Sequence, residues 1–261
     1  MEGIIEVKNL NVTYTGIKEV QALREISFCV GKGEILGVVG ESGSGKSTLA
    51  YAFLNLLPSD SKKTGRILFN NEDILSLKRG ELEKLRGRQV SMIFQEPAAT
   101  FNPVLSIGYQ FEEILDKRAG IKRKDDRRKI ITDSFNKVRL ADYTRIMRSY
   151  PHQLSGGQLQ RASIAMAISL KPAVLIADEP TSSLDVTIES QIINLFRDLR
   201  DSFNLTIIFI THNLDLVKAL CDRAVVLYQG EIREIASSRE LFVSPKDNYT
   251  VSLIKSFKEL E

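Results

Sequence analysis

Residues 40–48 read Gly-Glu-Ser-Gly-Ser-Gly-Lys-Ser-Thr, a G-x4-G-K-[ST] pattern. The chemistry of that pattern is phosphate binding. Glycines let the backbone curl until successive N–H groups face one point, and a helix starting there adds its own N-terminal N–H groups. Gly40, Ser42, Gly43, Ser44, Gly45 and Thr48 make up the cradle. Lys46 supplies a charge that reaches β- and γ-phosphates, and the Ser47 hydroxyl suits a Mg²⁺ shell. A second chemical element stands at Asp178-Glu179, which ends the apolar run 173–177. A buried strand running into two carboxylates makes sense beside a cation or a reaction, because burying charge without a partner is costly. Asp178 fits a water-mediated Mg²⁺ role, and Glu179 fits the polarising of an attacking water.

These groups need strands that end at one edge of a sheet. Residues 34–39 form a buried-type apolar run ending at glycine, and helical spacing follows at Leu49, Ala50, Phe53, Leu54 and Leu57 up to Pro58. Short β-type segments are expected at 4–10, 22–30, 67–69 and 90–94. From 97 to 170 the texture is helical with polar connections. Strand and helix then alternate: strand 174–177, helix 188–202, strand 206–210, helix 214–220, strand 224–227. Gln229-Gly230-Glu231 reads as a hairpin turn. Repeated strand–helix units imply a parallel sheet covered on both faces. His212 follows the buried-type strand 206–210, at the end where ligands collect in such sheets.

Bulk properties narrow the class. The chain has 261 residues, 43% hydrophobic and 26% charged, with a net charge of +3, too small to argue for nucleic acid. No run approaches the ~18 apolar residues of a spanning helix, and the N-terminus lacks a secretory leader's basic head and apolar stretch. Cys29 and Cys221 lie far apart without metal-type spacing; a reduced compartment, with both thiols packed as small apolar groups, is expected. The stretch 116–129 carries eight Lys/Arg against three Asp. It reads as a solvated helical face.

Phosphate loops and strand-end acids are common to kinases, GTPases and helicases. Leu154-Ser155-Gly156-Gly157-Gln158, ahead of a helical pattern, resembles the LSGGQ motif of the ATP-binding-cassette superfamily. The resemblance covers nearly the whole chain, with its motifs in family order. It implies an α/β P-loop NTPase (RecA-like) parallel-sheet core with an N-terminal antiparallel β subdomain and an inserted α-helical subdomain. The corresponding boundaries are 1–96 with 165–240 for the core, 97–164 for the helical insertion and 241–261 for a tail. ATP and Mg²⁺ are the implied ligands. Tyr14 matches the aromatic that stacks on adenine, Gln95 the switch glutamine that binds Mg²⁺ or water, Asp185 the D-loop aspartate between paired sites, and His212 a γ-phosphate contact. Two such cassettes sandwich ATP head to tail, so that Ser155, Gly156, Gly157 and Gln158 face the nucleotide held by the other chain. Small residues there permit close approach to an anion.

Residues 95–103, Gln-Glu-Pro-Ala-Ala-Thr-Phe-Asn-Pro, resemble the glutamine loop of oligopeptide, dipeptide and nickel importers, with Phe101 in place of the usual leucine. Tyr150-Pro151-His152-Gln153 and the tail 244–250 also resemble that group. The chain ends at Glu261 without the cysteine cluster of longer members, so it is nearer the short ones, and no metal beyond Mg²⁺ is implied. The resemblance implies an ATP-hydrolysing subunit, peripheral on the cytoplasmic face of the cell membrane, and adds contact with anionic lipid or a permease loop as the alternative for the basic stretch 116–129. Its partners would be two transmembrane permease subunits, a second cassette (a related chain or a copy of this one) and, indirectly, an extracytoplasmic solute-binding protein, with no nucleic acid. The alternative is a soluble cassette protein acting on ribosomes or DNA. Such proteins generally carry two cassettes or a long coiled-coil insertion, neither of which is present.

Overall fold

The computed structural model describes residues 3–16 and 18–258. Met1 and Glu2, read above for a leader, and tail residues 259–261 lie outside them. Along the chain the elements are β1 (Gly3–Tyr14), β2 (Val20–Gly31), β3 (Ile35–Val39), α1 (Lys46–Phe53), β4 (Lys62–Phe69), β5 (Glu72–Asp73) and α2 (Arg79–Leu85). There follow β6 (Val90–Ile93), α3 (Pro97–Thr100), α4 (Ile107–Ala119), α5 (Lys124–Lys137), α6 (Tyr143–Arg148), α7 (Gly156–Ile168) and β7 (Val174–Asp178). The last are α8 (Val186–Phe203), β8 (Thr206–Thr211), α9 (Leu214–Leu220), β9 (Arg223–Tyr228), β10 (Glu231–Ser237), α10 (Ser238–Val243) and α11 (Asn248–Lys258). They group into two compact units, one holding the described residues up to Leu82 and from Thr206 onward, the other Glu83–Leu205.

The first unit contains two sheets. In one, β1 lies between β2 and β4, antiparallel to both. In the other, β3 lies between β8 and β9 and runs parallel to each, while β10 returns antiparallel along β9. Every residue of β3 and β8 is buried, as expected for parallel strands covered on both faces. The β9–β10 return uses Gln229 and Gly230 with φ of 48° and 80°. Two left-handed residues make the primed turn whose twist suits a tight hairpin, and the expected turn is there. β1 and β4 run further than their apolar cores, because Asn11, Thr13 and residues 62–64 still find partners across the antiparallel ladder.

One expectation is corrected. Cys221 is buried, but Cys29 is exposed. Its β2 neighbours Phe28 and Val30 point inward, so strand alternation turns Cys29 outward. Burial pushes the Cys221 thiol up from its ordinary pKa, which keeps it protonated and unreactive.

In the second unit β6 and β7 pair in parallel, and helices α3 to α8 supply the rest. Ser106 caps α4, its hydroxyl accepting the Tyr109 N–H, and Gly120 at φ 69° closes it. α8 buries Ile192, Ile193, Leu195, Phe196 and Leu199 and stops at Asn204 in the left-handed region. Phe111 of α4 meets Phe135 of α5 edge-on at 5.6 Å, a favoured aromatic geometry. Between them the basic stretch is solvated: Asp116 pairs with Lys122 at 3.0 Å, and that contact holds its carboxyl below the usual range. Phe135 is wholly buried. Phe135→Ala should therefore cost about 3–5 kcal/mol in urea unfolding; a loss below about 1 kcal/mol would mean that this aromatic pair does not hold the helices together.

Candidate functional site

The cradle grows from the end of β3. Register sets Thr211 of β8 beside Val39 and Val226 of β9 on the other side, so Gly40 and His212 open neighbouring loops at the same sheet edge. Gly40 tolerates no side chain: a β-carbon there would be driven into the Leu227 carbonyl oxygen and within 2.8 Å of Ser44 Oγ. Gly43 and Gly45 take φ of 79° and 105°, and a β-carbon on Gly45 would meet the Ala22 carbonyl oxygen at 2.6 Å. The loop is pinned by its own Ser44 N–H to Glu41 carbonyl bond at 3.2 Å and by the Gly230 N–H donating to the Ser44 carbonyl at 3.0 Å. Ser44 itself is buried.

α1 follows Gly45, which offers no side-chain cap, so no capping side chain competes with an outside acceptor at the helix N-terminus. Lys46 is only 6% exposed, with Nζ donating to the carbonyls of Gly40 at 2.7 Å and Glu41 at 2.8 Å. The ammonium thus lies inside the curl of the loop. Ser42, Gly43 and Ser47 are exposed. Tyr14 is brought to the same place: its hydroxyl lies 3.1 Å from Thr48 Oγ1. His212 is exposed, immediately before the Asn213 cap of α9.

In the second unit, β6 and β7 end side by side. Asp178, 2% exposed, closes the wholly buried β7. Glu179 follows at φ 43°, a left-handed conformation that costs a non-glycine residue roughly 1–3 kcal/mol. The turn is held by Ser182, whose hydroxyl donates to the Glu179 carbonyl at 3.1 Å. Gln95, just past β6, donates from Nε2 to Glu179 Oε2 at 2.9 Å, aiming the carboxylate. Backbone strain of this kind clusters at functional sites.

Ser155 caps α7 in a reciprocal box: Ser155 Oγ accepts the Gln158 N–H at 3.3 Å and Gln158 Oε1 accepts the Ser155 N–H at 3.2 Å. Ser-x-x-Gln spacing carried that signal. Between them, a β-carbon on Gly157 would press Ile188 Cγ2 at 3.0 Å, and one on Gly156 would touch Leu184. Gly157 is therefore also small because α7 starts against the first turn of α8. Asp185 caps α8, accepting the Ile188 N–H at 2.9 Å, a task its D-loop assignment did not include. The expected site residues are thus split between units: Tyr14, the cradle 40–48 and His212 in one, and Gln95, Asp178, Glu179, Asp185 and 155–158 in the other. The Gly230 bond to the cradle carries no signal in the sequence beyond the turn glycine itself. His152 stacks on Tyr150 at 5.8 Å.

Fold and loop define a P-loop nucleoside triphosphatase. The family model described as ABC transporter matches residues 23–182. The dipeptide transport ATP-binding protein DppD of Bacillus subtilis is 40% identical over 264 residues, covering all of this chain and 78% of that protein. The oligopeptide transport ATP-binding protein OppD of Escherichia coli is 39% identical, covering all of this chain and 77% of its own length. Among solved structures, an ATP-binding cassette dimer in a post-hydrolysis state with ADP and phosphate superposes with a TM-score of 0.79 at 28% identity, over 90% of this chain and 99% of that one. The chain belongs to the ABC transporter family. It is the ATP-hydrolysing, nucleotide-binding subunit of an importer.

Because Gly40 abuts backbone on one side and Ser44 on the other, Gly40→Ala should abolish measurable ATP binding while leaving the helical unit folded. Isothermal titration with far-UV circular dichroism tests this; wild-type affinity would mean that the close approach at Gly40 is dispensable.

Proposed function

We propose that this subunit powers uptake of a peptide-like solute through two separate permease subunits, from the cytoplasmic face of the membrane, as one half of a cassette pair. The observation that carries the catalytic part is the Gln95–Glu179 hydrogen bond of 2.9 Å, which gives one strained carboxylate a fixed direction beside the entry to the helical segment 97–164. The named substrates of the relatives, dipeptides and oligopeptides, favour a peptide over nickel. Among the described residues no helix is long and apolar enough to cross a membrane, so a peripheral subunit bound to spanning partners fits.

In this reading the N–H groups of 42–48 and Lys46 bind the phosphates of ATP, and Tyr14 stacks on adenine. Releasing Lys46 from two loop carbonyls to phosphate exchanges neutral acceptors for charged ones, which strengthens its bonds. Glu179 takes the proton of the water that attacks the γ-phosphorus, and His212 steadies the phosphate as the bond to ADP breaks. The oxygen groups of Ser47, Gln95 and Asp178 are of the hard type that Mg²⁺ prefers. Among the described residues no cluster of three or more His, Cys, Asp or Glu could hold a metal alone, so nucleotide oxygens and water would complete the shell. Bound there, the ion would neutralise charge on the β- and γ-phosphates.

Ser155 and the N–H groups of Gly156 and Gly157 complete the partner's nucleotide site, and Asp185 passes the state of one site to the other. Val186, beside it, is 78% exposed, an apolar side chain suited to a partner cassette. ATP draws the two cassettes together, the helical segments shift the permeases, and hydrolysis resets them. The partner is a related chain or a second copy.

Two outcomes test this. Glu179→Gln should lower turnover by about a thousandfold or more while retaining ATP and yielding a stable ATP-bound dimer; near wild-type hydrolysis would refute the base assignment. Cysteines introduced as Ser42→Cys and Ser155→Cys, on a background with Cys29 replaced, should crosslink between chains when ATP is present. Crosslinks confined to one chain would end the shared-site reading.

A further inference from the structure

The tail beyond β10 has no part in the chemistry above, yet it is fastened by two carboxylates in sequence. Glu234 of β10 is buried, and it accepts the N–H groups of Lys246 and Asp247, each at 3.0 Å. A buried carboxylate is stable only when so satisfied. Asp247 Oδ1 in turn accepts the N–H groups of Tyr249 at 2.8 Å and Thr250 at 3.3 Å, fixing the first turn of α11. The result is that the Tyr249 ring lies on Tyr228, with centroids 4.1 Å apart and planes inclined by 32°. The Arg233 guanidinium also sits over the Tyr228 ring, at 5.4 Å.

Tyr228 occupies a particular place. The residue before it, Leu227, sets its carbonyl against Gly40, and two residues after it Gly230 donates its N–H to the Ser44 carbonyl at 3.0 Å. It therefore lies between two backbone attachments to the phosphate cradle. We propose that Tyr249 is a positioning residue for nucleotide binding: its ring, pressed on Tyr228, holds the 227–230 backbone and through it keeps the cradle 40–45 in its phosphate-receiving form. The physical reason is preorganisation. N–H groups already converged on one point bind an anion without the cost of ordering the loop at that moment. Burial first, then the charge of Glu41 in the cradle itself, raises the Tyr249 phenol to about 12. The phenol is therefore neutral below its ordinary value near 10 and beyond it, so this brace does not switch with pH in the neutral range.

The inference rests on residues 40–48 being the ATP phosphate loop. The full chain is titrated with Mg-ATP by calorimetry, and its ATPase rates are measured against ATP concentration. Tyr249→Ala should raise Kd and KM for ATP roughly three- to tenfold, the equivalent of one aromatic pair. kcat at saturation should stay within about twofold, because the hydrolytic groups are untouched. Tyr249→Phe keeps the ring and should match wild type within about twofold. Tyr249→Leu keeps apolar bulk without a ring face and should move as the alanine variant does, so a poorly folding alanine variant leaves the test standing. Wild-type affinity in Tyr249→Leu, or Tyr249→Phe no better than Tyr249→Ala, overturns the proposal. A wild-type chain that fails to bind ATP would instead sink the reading of the loop, and this inference with it.

Discussion

A backbone can point several N–H groups at one anion only if its inner side carries nothing larger than hydrogen. That constraint organises the first unit. Gly40 lies against the Leu227 carbonyl and Gly45 near that of Ala22, so the loop is wedged between the end of β9 and the opening sheet. The same closeness leaves room for one long side chain, Lys46, which fills the curl and satisfies itself on the loop's own carbonyls. The hairpin after β9 must then turn tightly enough to reach Ser44, and two left-handed residues do so. Burial of β3, hairpin geometry and lysine placement are consequences of one steric requirement.

The second unit answers a different requirement, the aiming of charge. Glu179 accepts a strained backbone and a hydrogen bond from the Gln95 amide, which fixes the direction of its carboxylate. At the start of α7 the glycines satisfy two demands together. Ile188 crowds Gly157 on one side, and the N–H groups that open a helix attract anions on the other. A larger residue at Gly157 would have to displace the Ile188 side chain before any question of ligand arose.

Much of this was legible in the residues. Buried parallel strands announce themselves as short branched-chain runs, and their ends as glycines or acids, because both faces must be apolar and the edge must not be. The phosphate loop, Asp178, Glu179 and His212 were found through those endings. What escaped was set by pairing rather than composition. The polar ends of β1 and β4 are strands only because neighbours supply ladder bonds. Cys29 was expected inside, although the inward Phe28 and Val30 on either side already placed it outside. Asp185 was legible as a contact residue but not as a helix cap, although its spacing to Ile188 is that of one. Apolar spacing in the tail at Tyr249, Leu253, Ile254 and Phe257 can mark a helix but not show that Tyr249 would reach Tyr228; that contact depends on the buried Glu234, two elements earlier in the chain.

α8 is the longest helix among the described residues, with 18 residues from Val186 to Phe203, and at 1.5 Å per residue it is a rod about 27 Å long. Asp185 seals one end and Asn204 the other, and five large apolar side chains lock its middle. A rod so held moves as a whole or not at all. Anything that tugs on its capped start is felt a domain's breadth away, where Phe203 lies beneath the Lys137 ammonium, with no soft joint between to absorb the displacement.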